Sequence, residues 1–355
     1  MRLPSVLFVL PARGASGGAN SVVQECLGLS RLGVRAAVAV DQPNAGAFVS
    51  AYPELAAQGR PALFYDGVPA LAELGRGFDI VCATTNASVF DVAEARESAG
   101  FRVAYYVQDY EPLFYPPDAP AWSRARASYA RVPDATLFAK TRWLCDVVYE
   151  NHGVSVSKVR PSLDHGVFYP ALGTVRPALS VTAMLRPQTP RRAPRRTVRI
   201  LDAIGRRYGA EVRLQVFGTE TSGLAAHGLE LPESVINRGV LRRTQVPDLL
   251  RDTDLLLDLS DYQAFGRTAL EAMACGAVPV APLLGGTGEF ARNGENAFVV
   301  DTRSDEAIME AIHRFVMQDT RTRDAMVLSA LNTAAGFTVH EAALSELQVF
   351  RKMMG

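Results

Sequence analysis

Six arginines fall between positions 186 and 199: Arg186, Arg191, Arg192, Arg195, Arg196 and Arg199. The whole chain carries 37 basic and 37 acidic residues, so it offers nucleic acid no net field, and affinity for phosphate must come from a local cluster such as this one. Arg195 and Arg199 also suit the solvated start of a helix. Further on, Phe265-Gly266 stands between an apolar run, Leu255 to Leu259, and a helical pattern, Arg267 to Ala274. The first amides of a helix point outward along its dipole, which makes such a start a seat for a pyrophosphate. Glu271 lies one helical turn beyond Arg267 among Leu270, Ala272, Met273 and Ala274; its carboxylate either faces solvent or is buried and needs partners.

Other segments carry weaker signals. The run from Pro11 to Ser21 holds Gly14, Gly17 and Gly18 but is not the Gly-x-Gly-x-x-Gly of a dinucleotide fold, although Asp41 stands where such a fold wants an acid. Gln108, Asp109 and Glu111 leave a strand at its carboxyl end, where open α/β sheets bind ligands. Asp109 and Glu111 can orient an acceptor hydroxyl or stabilise the turn. Asp252-Thr253-Asp254 has the spacing of a manganese-binding Asp-x-Asp, yet it precedes the apolar Leu255-Leu256-Leu257 and reads as a helix-to-strand turn, so no metal is expected. Trp122 to Arg131 is a basic, aromatic helix that could touch anionic lipid or a lipid-linked acceptor; a surface helix packing Trp122 and Tyr129 is the alternative. Cys26, Cys82, Cys145 and Cys275 are scattered without ligand or disulfide spacing, which fits a reducing cytoplasm.

The elements that must position these residues are legible as alternating short apolar and longer amphipathic runs, the pattern of βαβ units in parallel sheets. Strands are expected over Ser5 to Leu10, Ala36 to Val40, Asp79 to Thr84, Val103 to Val107 and Ala135 to Ala139, with a helix from Gly17 to Leu32. The alternation restarts with Leu179 to Met184, Val212 to Phe217, Val235 to Arg238, Leu255 to Leu259, Val278 to Ala281 and Ala297 to Val300. Helices fit at Arg196 to Tyr208, Gln245 to Arg251, Arg267 to Ala274, Ser304 to Met317 and Val339 to Met354. A chain of 355 residues exceeds one ordinary core, so an α/β protein of two Rossmann-like domains is expected: 1–170, then 171–337 after a linker ending near Pro177, then a helix over 338–355 packing back on the first. The apolar start, Val6 to Leu10, reads as a strand rather than a signal peptide, and no apolar run reaches the roughly 18 residues of a membrane span.

The segment from Asp258 to Ala281, with Gly285, Gly286 and Glu289 behind it, resembles the signature of retaining GT-B glycosyltransferases of family 4, the glycosyl transferases group 1. Met184-Leu185-Arg186 followed by Arg191 and Arg192 is similar to that family's Gly-Arg and later Lys. The resemblance implies a GT-B fold with an active site in a cleft, the donor held by the C-terminal domain and the acceptor presented by the N-terminal one. Its substrates would be a nucleotide diphosphate sugar and a glycan, lipid-linked or small-molecule acceptor, with no cofactor and no metal. Arg186, Arg191, Gln263 and Asp109 would be catalytic, the arginines stabilising the departing diphosphate. Gly17, Gly18, Arg192, Gly218, Ser260, Phe265, Gly266, Arg267, Thr268 and Glu271 would bind the nucleotide sugar, Glu271 at the ribose, with Gln108 and Glu111 on the acceptor side. The family's first glutamate falls on Gln263, eight residues before Glu271, so hydrogen bonding can survive there while a carboxylate's charge cannot. Gln108 likewise stands where many members have His, and the run Gln108-Asp109-Tyr110-Glu111-Pro112 resembles bacterial rhamnosyltransferases of surface-polysaccharide assembly. These two departures leave a catalytically inactive nucleotide-sugar-binding subunit as the alternative. The expected location is the cytoplasm, with peripheral contact at the inner membrane face.

Overall fold

The computed structural model describes residues 2–11, 16–171 and 178–355. The loop positions Ala12, Arg13, Gly14 and Ala15 and the linker positions 172–177 lie outside the described residues. The chain divides into two compact units: Met1–Ser162 joined by Phe337–Gly355, and Leu163–Gly336.

The first unit is built on seven parallel strands: β1 (Ser5–Val9), β2 (Arg35–Asp41), β3 (Leu63–Tyr65), β4 (Ile80–Ala83), β5 (Arg102–Val107), β6 (Thr136–Ala139) and β7 (Val156–Lys158). Their order across the sheet is β3-β2-β1-β4-β5-β6-β7. Val6 pairs with Ala36 on one side and Ile80 on the other. Helices cover such a sheet on both faces, which is why Val6, Leu7, Phe8 and Val9 are all fully buried and the run does not alternate with polar residues. Helix Val339–Met353 returns to this unit and packs on helix Gly17–Arg31, where a side chain at Gly28 would strike Val339 and Ala343. Its Phe350 meets Phe8 and Phe138 edge-on. Beneath it Glu25, in a buried ion pair with Lys140, accepts a hydrogen bond from Tyr106 Oη, and among the described residues neither oxygen of the fully buried Glu346 finds a donor.

The second unit holds six parallel strands: β8 (Leu179–Met184), β9 (Val212–Phe217), β10 (Val235–Asn237), β11 (Leu255–Leu257), β12 (Val278–Pro282) and β13 (Phe298–Val300), ordered β10-β9-β8-β11-β12-β13. Its core gathers the apolar face of helix Pro194–Tyr208, through Ile200, Leu201 and Ile204, against Val181, Leu214 and Val216. Residues 163–170 belong to this unit and not to the first. Leu163 and Phe168 are buried, Asp164 pairs with Arg243, and the Arg251 guanidinium lies over the Tyr169 ring.

In each sheet the chain winds outward in both directions from a central strand pair, β1/β4 and β8/β11. The carboxyl ends of such a pair open a crevice, the position where parallel sheets receive ligands.

Candidate functional site

In the second unit, the residues read as donor-binding collect around the carboxyl ends of β8, β9 and β11. Arg186 follows β8 by two residues, and Leu185 before it is fixed by its amide bond to the Phe217 carbonyl. Gly218, next in the chain after Phe217, has φ +104, and a Cβ there would stand 2.7 Å from the Leu185 carbonyl, so only glycine permits this approach beside Arg186. The Arg191 carbonyl accepts from the Asp261 amide at 2.8 Å, and its guanidinium lies 5.4 Å from the Tyr262 ring centroid. The short turn Pro190–Arg192 is thereby tied to the loop that carries Gln263. Arg186 is half-buried; its burial, reinforced by the neighbouring Arg191 charge, pulls its pKa below the ordinary guanidinium value. Two cations held this close are a standing demand for an anion.

Arg192, Asp258, Ser260 and Thr268 line one small cavity at the end of β11. Arg196 is structural: its guanidinium bonds the Leu259 carbonyl and Asp261. Arg195 bonds the carbonyls of His227 and Gly228, and Arg199 forms a two-bond pair with Asp305. The cluster of six therefore separates, with Arg186, Arg191 and Arg192 grouped near the β11 loop and the other three anchoring the helix that follows.

Gly266 caps helix Arg267–Ala274 with φ +92 and no side-chain bond to its first amides. Phe265 packs edge-on to Phe290, which fixes the turn. One turn in, Glu271 is buried at 9% exposure. Among the described residues no protein hydrogen-bond donor reaches its carboxylate, and Arg267 Nη1 stands 4.0 Å from Oε1. Burial pushes its pKa to about 7 against the lowering influence of Arg267 and Arg243. Arg243, paired with Asp164 at 3.1 Å, is not among the residues marked from the sequence; its only local signal is a dibasic pair, Arg242-Arg243, on the carboxyl side of β10.

In the first unit, helix Gly17–Arg31 starts with Ser16 Oγ accepting from the Ala19 amide. Gly18 lies against Gln108, whose Oε1 would be 3.0 Å from a Cβ at that position, and Gln108 Nε2 donates to the Thr84 carbonyl after β4. Gly18 and Gln108 thus meet at the ends of β1, β4 and β5, while Gly17 is exposed, with open space at its Cβ position. Asp109 Oδ1 accepts from the Tyr110 amide. Glu111 is turned inward at 8% exposure, its carboxylate accepting from the Asn86 amide at 2.8 Å, from Asn86 Nδ2 and from Tyr105 Oη. Burial raises its pKa to about 7. Glu111 therefore anchors the loop to the start of helix Asn86–Ala99, and Asp109 is the carboxylate of this pair placed at the loop itself. Tyr129 is fully packed, stacked with Tyr105 and Tyr110 and donating to the Asp109 carbonyl. Trp122 is half-buried under the Arg126 guanidinium.

Asp252 pairs with Arg213, and the Asp254 carboxylate takes the Ser180 amide, so both acidic groups serve the turn into β11. Among the described residues no helix is long and apolar enough to cross a membrane.

Residues 195–332 match the family model for glycosyl transferases group 1. The D-inositol 3-phosphate glycosyltransferase of Rhodococcus opacus is 28% identical over 213 residues, covering 56% of this chain and 46% of that protein. The lipopolysaccharide core biosynthesis mannosyltransferase LpsB of Rhizobium meliloti is 28% identical over 148 residues, 39% of this chain and 42% of that protein. The chain spans about half the length of the curated relatives it matches. Among solved structures, Anabaena Alr3699/HepE in complex with UDP and glucose superposes with a TM-score of 0.80 at 17% identity, covering 98% of this chain and 100% of that one. The fold is GT-B, two parallel-sheet α/β domains, and the match to the glycosyl transferases group 1 model falls within the second of them.

Proposed function

We propose that this chain transfers a sugar from a nucleotide diphosphate sugar to an acceptor hydroxyl, with retention at the anomeric carbon and without a metal ion. The observation that carries this reading is Glu271, a buried carboxylate with no protein donor among the described residues, on a helix whose uncapped first amides lie one turn away. A vicinal diol supplies the two missing donors, and a diphosphate suits the amides. The names of the relatives, a D-inositol 3-phosphate glycosyltransferase and a lipopolysaccharide core biosynthesis mannosyltransferase, and the UDP bound by Alr3699/HepE support the same reading.

As the anomeric bond breaks, negative charge grows on the leaving diphosphate. Arg186, Arg191 and Arg192, with the helix start at Gly266, are already in place to offset it, so no reorganisation is needed at that moment. Asp109 and Gln108 serve the acceptor, with Glu111 holding their loop. The leaving phosphate accepts the acceptor proton on the face from which it departs. The resemblance of the Gln108 to Pro112 run makes the sugar rhamnosyl or a related hexosyl, and the product a polysaccharide or glycoconjugate made in the cytoplasm. Helix Pro120–Ser128, with Trp122 and its arginines, is the surface for a peripheral membrane contact.

The neutral amide of Gln263 favours one rival, a nucleotide-sugar-binding subunit without activity. A calorimetric screen of nucleotide diphosphate sugars, followed by hydrolysis and transfer assays in chelator, separates the two. Binding with turnover is expected. Binding without hydrolysis or transfer to any acceptor establishes the rival, and binding of no nucleotide sugar removes both.

A further inference from the structure

The amide at position 263 has a partner that accounts for it. Asp258 directly follows β11, its amide bonded to the Val280 carbonyl. One carboxylate oxygen, Oδ1, accepts from Ser260 Oγ at 2.6 Å; the other, Oδ2, accepts from Gln263 Nε2 at 2.5 Å. Gln263 Nε2 also reaches Ser260 Oγ at 3.2 Å. Both of these side-chain hydrogen bonds of Gln263 therefore leave from nitrogen. A carboxylate can only accept, so Asp258 dictates which way the amide faces and turns its oxygen away from that carboxylate.

The backbone of Gln263 is equally fixed. Its carbonyl accepts from the Gly286 amide at 2.7 Å, and its amide bonds the Leu284 carbonyl. Gly285, at φ +112, passes so close that a Cβ would fall 2.0 Å from the Gln263 carbonyl oxygen. With the main chain clamped by this loop, the Cα of residue 263 is held in place beside Asp258. A glutamate in place of Gln263 would press a second carboxylate onto the first, and two carboxylates at that separation cannot both ionise.

We infer that Asp258 is a positioning and specificity-determining residue, presenting Gln263 Oε1 as a neutral hydrogen-bond acceptor to a hydroxyl of the donor sugar, and that the acidic charge missing from position 263 stands instead at position 258. This rests on the proposed donor site and adds to it the polarity of the sugar contact: an acceptor that selects donors with a free hydroxyl at that point.

The experiment is a double-mutant cycle of Gln263→Glu and Asp258→Asn, read as donor binding by calorimetry and as kcat and KM for several nucleotide diphosphate sugars. Gln263→Glu alone should lower kcat/KM by about tenfold or more, since it pairs like charges. Asp258→Asn alone frees the amide to flip and should cost roughly threefold to tenfold while changing the ranking of donor sugars. The double variant should recover most of the Gln263→Glu loss, because the amide introduced by Asp258→Asn can donate to the carboxylate introduced by Gln263→Glu, leaving a coupling of about tenfold. Thermal melts of all four proteins separate lost folding from lost positioning, and Ser260→Ala, which removes the second contact of the amide, gives an independent shift in donor ranking. Strictly multiplicative losses, or an Asp258→Asn protein with unaltered kinetics and ranking, overturn the inference while leaving the donor site intact. A wild type that binds no nucleotide diphosphate sugar overturns the site itself.

Discussion

Replacing Glu271 by glutamine should strengthen the fold and weaken the ligand at once. The wild-type carboxyl is raised from 4.5 to about 7 because burial disfavours its charged form. A group whose pKa is higher in the folded state contributes stability that is complete below the unfolded value and is lost as pH rises through the folded one. At about 1.4 kcal/mol per pH unit between those values, keeping Glu271 charged in the fold at about pH 8 costs on the order of 3 kcal/mol. Glutamine has the same shape and no charge, so Glu271→Gln should raise the melting temperature at about pH 8 by on the order of 5 to 10 °C. At about pH 5 the gain should shrink to about 1 kcal/mol, since wild-type Glu271 is then already protonated when folded. Nucleotide affinity should move the other way. In the proposed ribose role the charged carboxylate would accept two hydroxyl bonds worth about 1.5–3 kcal/mol each, of which an amide oxygen would keep only part, so affinity should fall roughly tenfold to a hundredfold at about pH 8. Melting curves at both pH values and calorimetric titration with the preferred nucleotide measure both effects on one preparation. An unchanged melting temperature at the higher pH would show that the carboxylate is compensated within the fold, and unchanged affinity would remove Glu271 from the ribose.

Other expectations follow from the same geometry. Turnover should persist in chelator if, as proposed, the arginines and the helix start supply the charge compensation; loss in chelator with recovery on manganese would refute this and return attention to Asp252 and Asp254. Arg186→Ala should depress transfer from every donor, whereas Gln263→Ala should lower it roughly threefold to tenfold and reorder the donors, as steady-state kinetics on a donor panel will show. Glu111→Gln should raise the acceptor KM more than it lowers kcat, since Glu111 holds the loop through Asn86 and Tyr105 without reaching its outer face; a selective effect on the donor KM would count against that role. Burial and the nearby Glu25 raise the Glu346 carboxyl well above its usual range, with Lys140 opposing, so wild-type stability should decline as pH rises through that value and Glu346→Gln should flatten the decline in alkaline melts.

What the sequence disclosed about this molecule was whatever depends on neighbours in the chain. The long buried strands β1, β8 and β9 were legible because parallel strands covered on both faces are continuous apolar runs, and helix Arg267–Ala274 because its apolar spacing begins at a glycine. The edge strands Leu63–Tyr65 and Val156–Lys158 were missed, since three residues at a sheet margin need no distinctive pattern. Helix Thr320–Ala335 was missed for a related reason: it opens with a polar run, Thr-Arg-Thr-Arg-Asp, and buries only Met326, Ala330 and Ala334. The candidate site divides in the same way. Arg186, Gly266 and Glu271 could be marked as candidates from the chain, but that Arg196 is spent on Asp261, that Arg243 acts on Glu271 and that Asp258 holds Gln263 depends on which strand ends the sheet sets side by side. Read from the chain alone, Gln263 was a loss of charge at a position expected to be acidic. Beside Asp258 it suits the local chemistry, since a donor must face that carboxylate and an amide, unlike a second carboxylate, can donate there and still keep an acceptor oxygen. A departure from a family pattern is therefore weak evidence of lost activity until the neighbours of the departing residue are known, because the charge removed from one position can stand, as here, on the side chain that touches it.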